Sequence, residues 1–115
     1  MYTKWNNRLS AYRIMWLFVI FDLPVVTKSH RKAATKFRND LLKDGFSMLQ
    51  YSVYIRHCPT KESMEVHIKR IKQSIPKVGH VSMIQITDRQ FGNMENVWGR
   101  QEVPLPGAPA QLSFF

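Results

Sequence analysis

Ile14-Met15-Trp16-Leu17-Phe18-Val19-Ile20-Phe21-Asp22 is the longest apolar run of the chain, eight apolar residues closed by one carboxylate. A run this short, rich in Val, Ile and aromatic residues and ended by Leu23-Pro24, reads as a strand buried on both faces. It is too short to cross a bilayer. An acid at the exit of such a strand must find water, a donor or a cation, because burying it unpaired is costly. Asp22 is therefore where a chemical function has to start.

Downstream, Thr27 or Ser29 caps a helix that runs to about Asp44. His30, Ala33, Ala34, Phe37 and Leu41 share one face of it. Lys28, Arg31, Lys32, Lys36, Arg38 and Lys43 lie off that face, and Gly45 stops the helix. Residues 46–57 read as two short strands, 46–50 and 52–57. Pro59-Thr60 opens a second helix with Met64, Ile68, Ile71 and Ile75 as its apolar stripe, ended by Pro76 and Gly79. Residues 80–87 form a further strand, Asp88 to Asn93 a loop, and 94–98 a short final strand.

The order β-α-β-β-α-β plus a short extra C-terminal strand predicts an α+β fold. It is the ferredoxin-like arrangement, with both helices on one face of a four-stranded antiparallel sheet. The other sheet face has no cover in the same chain, which points to a homodimer. This gives an N-terminal extension at 1–13, a domain at 14–100 and a Pro-rich tail at 101–115. The tail holds Pro104, Pro106 and Pro109, a single charge at Glu102, and Phe114-Phe115 at its end.

A formal charge of +9, from 17 Lys and Arg against 8 Asp and Glu, favours a polyanionic partner. The single cysteine, Cys58, forbids an intrachain disulfide and fits a reducing compartment. Residues 1–21 mimic a signal peptide, but no small-residue cleavage site follows and Asp22-Leu23-Pro24 interrupts. The expected location is cytoplasmic, with no membrane partner.

Phe21-Asp22, the basic helix, Gly45, and then Gln50-Tyr51-Ser52-Val53-Tyr54 together resemble the CRISPR-associated protein 2 family. Ile84-Gln85-Ile86-Thr87-Asp88-Arg89-Gln90-Phe91 is similar to that family's last core strand and the turn after it. Phe21-Asp22-Leu23-Pro24 and Gly45-Phe46 look most like the variants of type II systems. The resemblance spans about residues 12–100. It implies a ferredoxin-like homodimer, described in many members as a metal-dependent nuclease with the first-strand aspartate binding the metal. It also implies a dimer that sits between two dimers of the CRISPR-associated integrase and supports duplex DNA during spacer acquisition.

On these grounds Asp22 is the candidate catalytic and metal-binding residue, with Mg²⁺ as the cofactor. A two-fold axis near the strand end would bring a second Asp22 to share the cation. The competing reading makes Asp22 a loop cap that accepts N–H groups near Val25 to Thr27. Lys28, Arg31 and Lys32 at the start of the first helix, with Arg13 and Arg56 near strand ends, are the candidate nucleic-acid contacts, of a kind that is sequence-independent and salt-sensitive. In residues 27–45 six basic groups face two acidic ones. Lys69, Arg70, Lys72 and Lys77 read as a solvated helix face. His57, Cys58 and His67 match no zinc spacing and lack a fourth ligand. Val103, Leu105, Leu112, Phe114 and Phe115 are the candidate docking residues for the integrase. The leading expectation is a DNA-holding scaffold that bridges integrase dimers. The alternative is a Mg²⁺-dependent endonuclease acting at paired Asp22 residues.

Overall fold

The computed structural model describes residues 14–99 and 101–102. The elements follow as β1 (Met15–Asp22), α1 (Lys28–Lys43), β2 (Ser47–Gln50), β3 (Val53–Cys58), α2 (Lys61–Ser74), β4 (His80–Thr87), α3 (Asp88–Gly92), β5 (Val97–Trp98) and β6 (Gln101–Glu102). The first six of these regular elements form the predicted βαββαβ, in a four-stranded antiparallel sheet of order β2-β3-β1-β4. The apolar run is a central strand, paired with β3 on one side and β4 on the other.

Side chains alternate across β1, and the two parities meet different partners. Leu17, Val19 and Phe21 point to the helices and pack with Phe37, Leu41, Phe46, Tyr54, Cys58, Met64 and Ile71. Each such side chain taken from water contributes about 1.5–3 kcal/mol. Trp16 and Phe18 face the other way, in a second cluster with Ile55 and Phe91. Among the described residues, no helix is long and apolar enough to cross a membrane.

That second cluster corrects two expectations. Residues 88–93 are not simply a loop. Thr87 caps α3 by accepting from Gln90 N at 3.2 Å, and the Gln90 side chain accepts from Thr87 N at 2.9 Å. This Thr-x-x-Gln capping box was legible in the sequence. It turns Phe91 onto Trp16, with ring centroids 3.9 Å apart, while Trp16 Nε1 donates to Asp88 Oδ1 at 2.7 Å. The sheet face opposite the long helices is thus covered at the Met15 end by the chain's own residues. It stays open towards Asp22, where Ile20 and Ile84 are exposed.

Other boundaries shift for local reasons. Thr27, not Ser29, caps α1, its Oγ1 accepting from His30 N at 3.0 Å. Ile75 ends α2 in an extended conformation and is exposed, because Pro76 follows it. The buried place in the stripe goes to His67. The expected final strand is reduced to Val97–Trp98, which pairs with Gln101–Glu102 in a separate hairpin and not with the main sheet. Residues 101–102, read as tail, therefore belong to a strand pair.

The exit of α1 shows why Gly45 is needed. Gly45 N donates to Leu42 O and Phe46 N to Leu41 O, at 3.1 and 3.0 Å, a helix stop that calls for a left-handed residue. Gly45 has φ +88°, and a Cβ there would lie 3.2 Å from the Arg56 guanidinium. Gly45→Ala is expected to lose about 1–2 kcal/mol, measured as a lower urea midpoint. Gly92→Ala, in α3 with open space around its would-be Cβ, is the matched control and should leave stability unchanged or raise it by up to about 1 kcal/mol.

Candidate functional site

Asp22 closes β1 on the open half of the sheet and is exposed to solvent. Its position is set from both sides. Phe21 N donates to Ser52 O at 3.0 Å, tying the strand end to the β2–β3 turn. On the other side Asp22 stands directly opposite His80, the first residue of β4. Gly79, at φ +118°, lets the incoming chain pass close beneath: a Cβ there would lie 2.6 Å from Leu23 Cδ2 and 3.0 Å from Asp22 O.

The loop-cap reading of Asp22 finds no support in the hydrogen bonds. Thr27 serves as the helix cap. Arg31 holds the loop instead, its Nη1 donating to Val25 O at 3.2 Å and Val26 O at 3.1 Å. The Asp22 carboxylate has neither a hydrogen bond nor an ion pair among the described residues. It remains available to water or a cation. Among the described residues no three His, Cys, Asp or Glu side chains are grouped to hold a metal ion. The local donor set is Asp22 with His80 beside it, one carboxylate and one imidazole. This set can contribute two ligands to a divalent ion, with water or a second chain supplying the rest.

The basic candidates separate by what they touch. Lys28 and Lys32 are exposed on α1, one turn apart, and have no ion-pair partner among the described residues. Arg31 is exposed but engaged with the loop carbonyls. Arg56 is half-buried, its Nε donating to Asp44 O at 2.8 Å and Nη1 to His57 O at 2.6 Å. Further along α1, Lys36 pairs with Asp40 at 2.9 Å, and Arg38 lies over the Phe21 ring, 5.6 Å from its centroid. Arg13 and the docking candidates Val103, Leu105, Leu112, Phe114 and Phe115 lie outside the described residues.

The histidines and Cys58 do not form one cluster. His57 is exposed and sits edge-on to Trp16. Cys58 is buried, and burial pushes its thiol above the ordinary value, against the lowering effect of Arg56. His67, 7% exposed, contacts Asp44 through Nδ1 at 2.7 Å. The second oxygen of Asp44 accepts from Arg70 Nη1 at 2.7 Å. One carboxylate at the C-terminal cap of α1 therefore fastens α2 by two side chains, and its main-chain carbonyl holds Arg56 of β3. Arg70, read as part of a solvated face, has this structural task. Asp44→Ala would leave the buried His67 without its partner. The expected loss is about 1–3 kcal/mol, read from chemical denaturation, whereas Lys69→Ala on the same helix should shift stability by no more than about 0.5 kcal/mol.

Comparison with known proteins places this geometry in context. The family model described as "CRISPR associated protein Cas2" matches residues 15–94. A Flavobacterium psychrophilum protein named CRISPR-associated endoribonuclease Cas2 is 48% identical over 115 residues, covering 100% of both chains. A protein of the same name from Parvibaculum lavamentivorans is 48% identical over 101 residues, 88% of this chain and 100% of that one. A solved structure titled "Crystal structure of cas2" superposes with a TM-score of 0.54 at 20% identity, covering 83% of this chain and 98% of the other. That likeness supports the fold.

Proposed function

This chain belongs to the Cas2 family of CRISPR-associated proteins, and from that premise we propose that it is a metal-dependent endoribonuclease with Asp22 as its essential carboxylate. The observation that carries the reading is the exposed, unpartnered Asp22 at the exit of the central strand, in a chain whose full-length relative is named an endoribonuclease. The relatives' names favour this reading over the scaffold, which is the leading expectation from the family resemblance and the charge.

In this reading Asp22 holds a divalent cation, with Mg²⁺ the expectation from the family. Bound there, the cation would polarise a phosphoryl oxygen and lower the pKa of coordinated water. The protein's own part is to present the carboxylate on a rigid strand and to draw the polyanion to it. Ile20 and Ile84, exposed on the same face, offer apolar surface for a second copy. Such a homodimer would bring the two Asp22 residues towards each other.

A second reading keeps the protein as a duplex-DNA scaffold between integrase dimers in spacer acquisition. The observation in its favour is Lys28 and Lys32, exposed and without an ion-pair partner among the described residues in the first turns of α1, within a chain of charge +9. The two readings are compatible, because phosphate contacts of this kind carry no sequence information and serve either task.

Purified protein with Mg²⁺ or Mn²⁺ is expected to cleave single-stranded RNA, and Asp22→Asn to lose cleavage while RNA binding persists. RNA left intact with either metal defeats the nuclease reading. Lys28→Ala/Lys32→Ala should weaken duplex binding and flatten the plot of log affinity against log salt by about 0.9 for each phosphate no longer neutralised. An unchanged slope removes these lysines from the interface.

A further inference from the structure

The Asp22 site has a neighbour that the pattern of acids and bases does not reveal. His80 follows the Gly79 turn and begins β4 directly opposite Asp22. Residues paired across antiparallel strands project to the same face, with Cβ atoms about 4.5–5.5 Å apart. Both side chains are exposed, on the half of the sheet that α3 leaves open. Neither has a hydrogen bond, ion pair or ring contact among the described residues. The other three histidines are placed differently: His67 is bound to Asp44, His57 lies against Trp16 and His30 is partly buried in α1. A carboxylate and an imidazole held side by side on rigid strands, both unoccupied by protein partners, are two ligands pre-positioned for one ion.

We infer that His80 is a metal ligand alongside Asp22, and that the site prefers a first-row transition cation such as Mn²⁺ to Mg²⁺. The inference rests on reading Asp22 as a cation ligand and names its missing partner. Two physical arguments support it. Mg²⁺ takes oxygen ligands and gives up its waters reluctantly, so an imidazole adds little to its binding. Mn²⁺ is the weakest binder of the first-row series, but as a transition ion it accepts an imidazole nitrogen beside a carboxylate more readily than Mg²⁺, which keeps to oxygen ligands and its own waters. The chain also carries a charge of +9, which opposes capture of any cation by one exposed carboxylate. A directed nitrogen donor offsets that repulsion for a transition ion and does little for Mg²⁺.

The test uses the full-length protein, its Asp22→Asn and His80→Ala variants, and Mn²⁺ and Mg²⁺ as probes. Affinities come from calorimetry, and ligation from paramagnetic broadening of histidine imidazole signals by substoichiometric Mn²⁺. The unaltered chain is expected to bind Mn²⁺ about tenfold or more tighter than Mg²⁺, and His80 signals to broaden before those of His30, His57 and His67. His80→Ala should abolish the preference by weakening Mn²⁺ binding about tenfold while leaving Mg²⁺ binding nearly unchanged. Unchanged Mn²⁺ affinity in His80→Ala, or His80 signals that broaden no earlier than the others, overturns the inference. If Asp22→Asn leaves Mn²⁺ binding intact while His80→Ala loses it, Asp22 is not a ligand and the shared Asp22–His80 site is overturned. Binding that follows the inference in a protein that cleaves no RNA defeats the nuclease reading and leaves the metal site in place. Both positions are exposed, and matching backbone spectra confirm that the variants remain folded.

Discussion

Strand β1 carries apolar side chains in both parities, so each face of the sheet it centres needs its own cover. Leu17, Val19 and Phe21 take the helix face, and α1 and α2 exist as amphipathic helices to meet them. Trp16 and Phe18 demand the same on the other side, where the chain can supply only a five-residue helix bearing Phe91. The cover is complete at one end of the strand and absent at the other. Asp22 stands at the uncovered end. The asymmetry that leaves apolar surface open is also what leaves the carboxylate in water.

Asp44 plays a comparable part on the helix side. Its main-chain carbonyl receives Arg56, and its two carboxylate oxygens receive His67 and Arg70. Three elements thus meet at the end of α1, next to the Gly45 turn, whose positive φ disfavours any side chain. Charged groups that look like a surface population are partly consumed here, in the loop held by Arg31, and over the ring of Phe21. The cations left unpaired among the described residues form a smaller set that includes Lys28 and Lys32.

Among the described residues, Arg31 and Arg56 have structural tasks, because a planar guanidinium can satisfy two carbonyls at once. A lysine ammonium lacks that geometry and acts as a point charge.

The sequence carries the order and type of the six main elements and the central place of the apolar run, and it singles out Asp22 at that strand's exit. All of these rest on local periodicity, on Pro and Gly punctuation and on capping chemistry, which act over a few residues. It also contained α3, through the Thr87-x-x-Gln90 box, although a polar turn reading obscured it. Only the tertiary structure decided that His80 stands opposite Asp22, that Asp44 gathers His67, Arg70 and Arg56, and that Phe91 closes one end of the open face. Even the nearest of these pairs, Asp44 and Arg56, is 12 positions apart in the chain. Such pairings depend on strand register and helix packing, which no local pattern encodes.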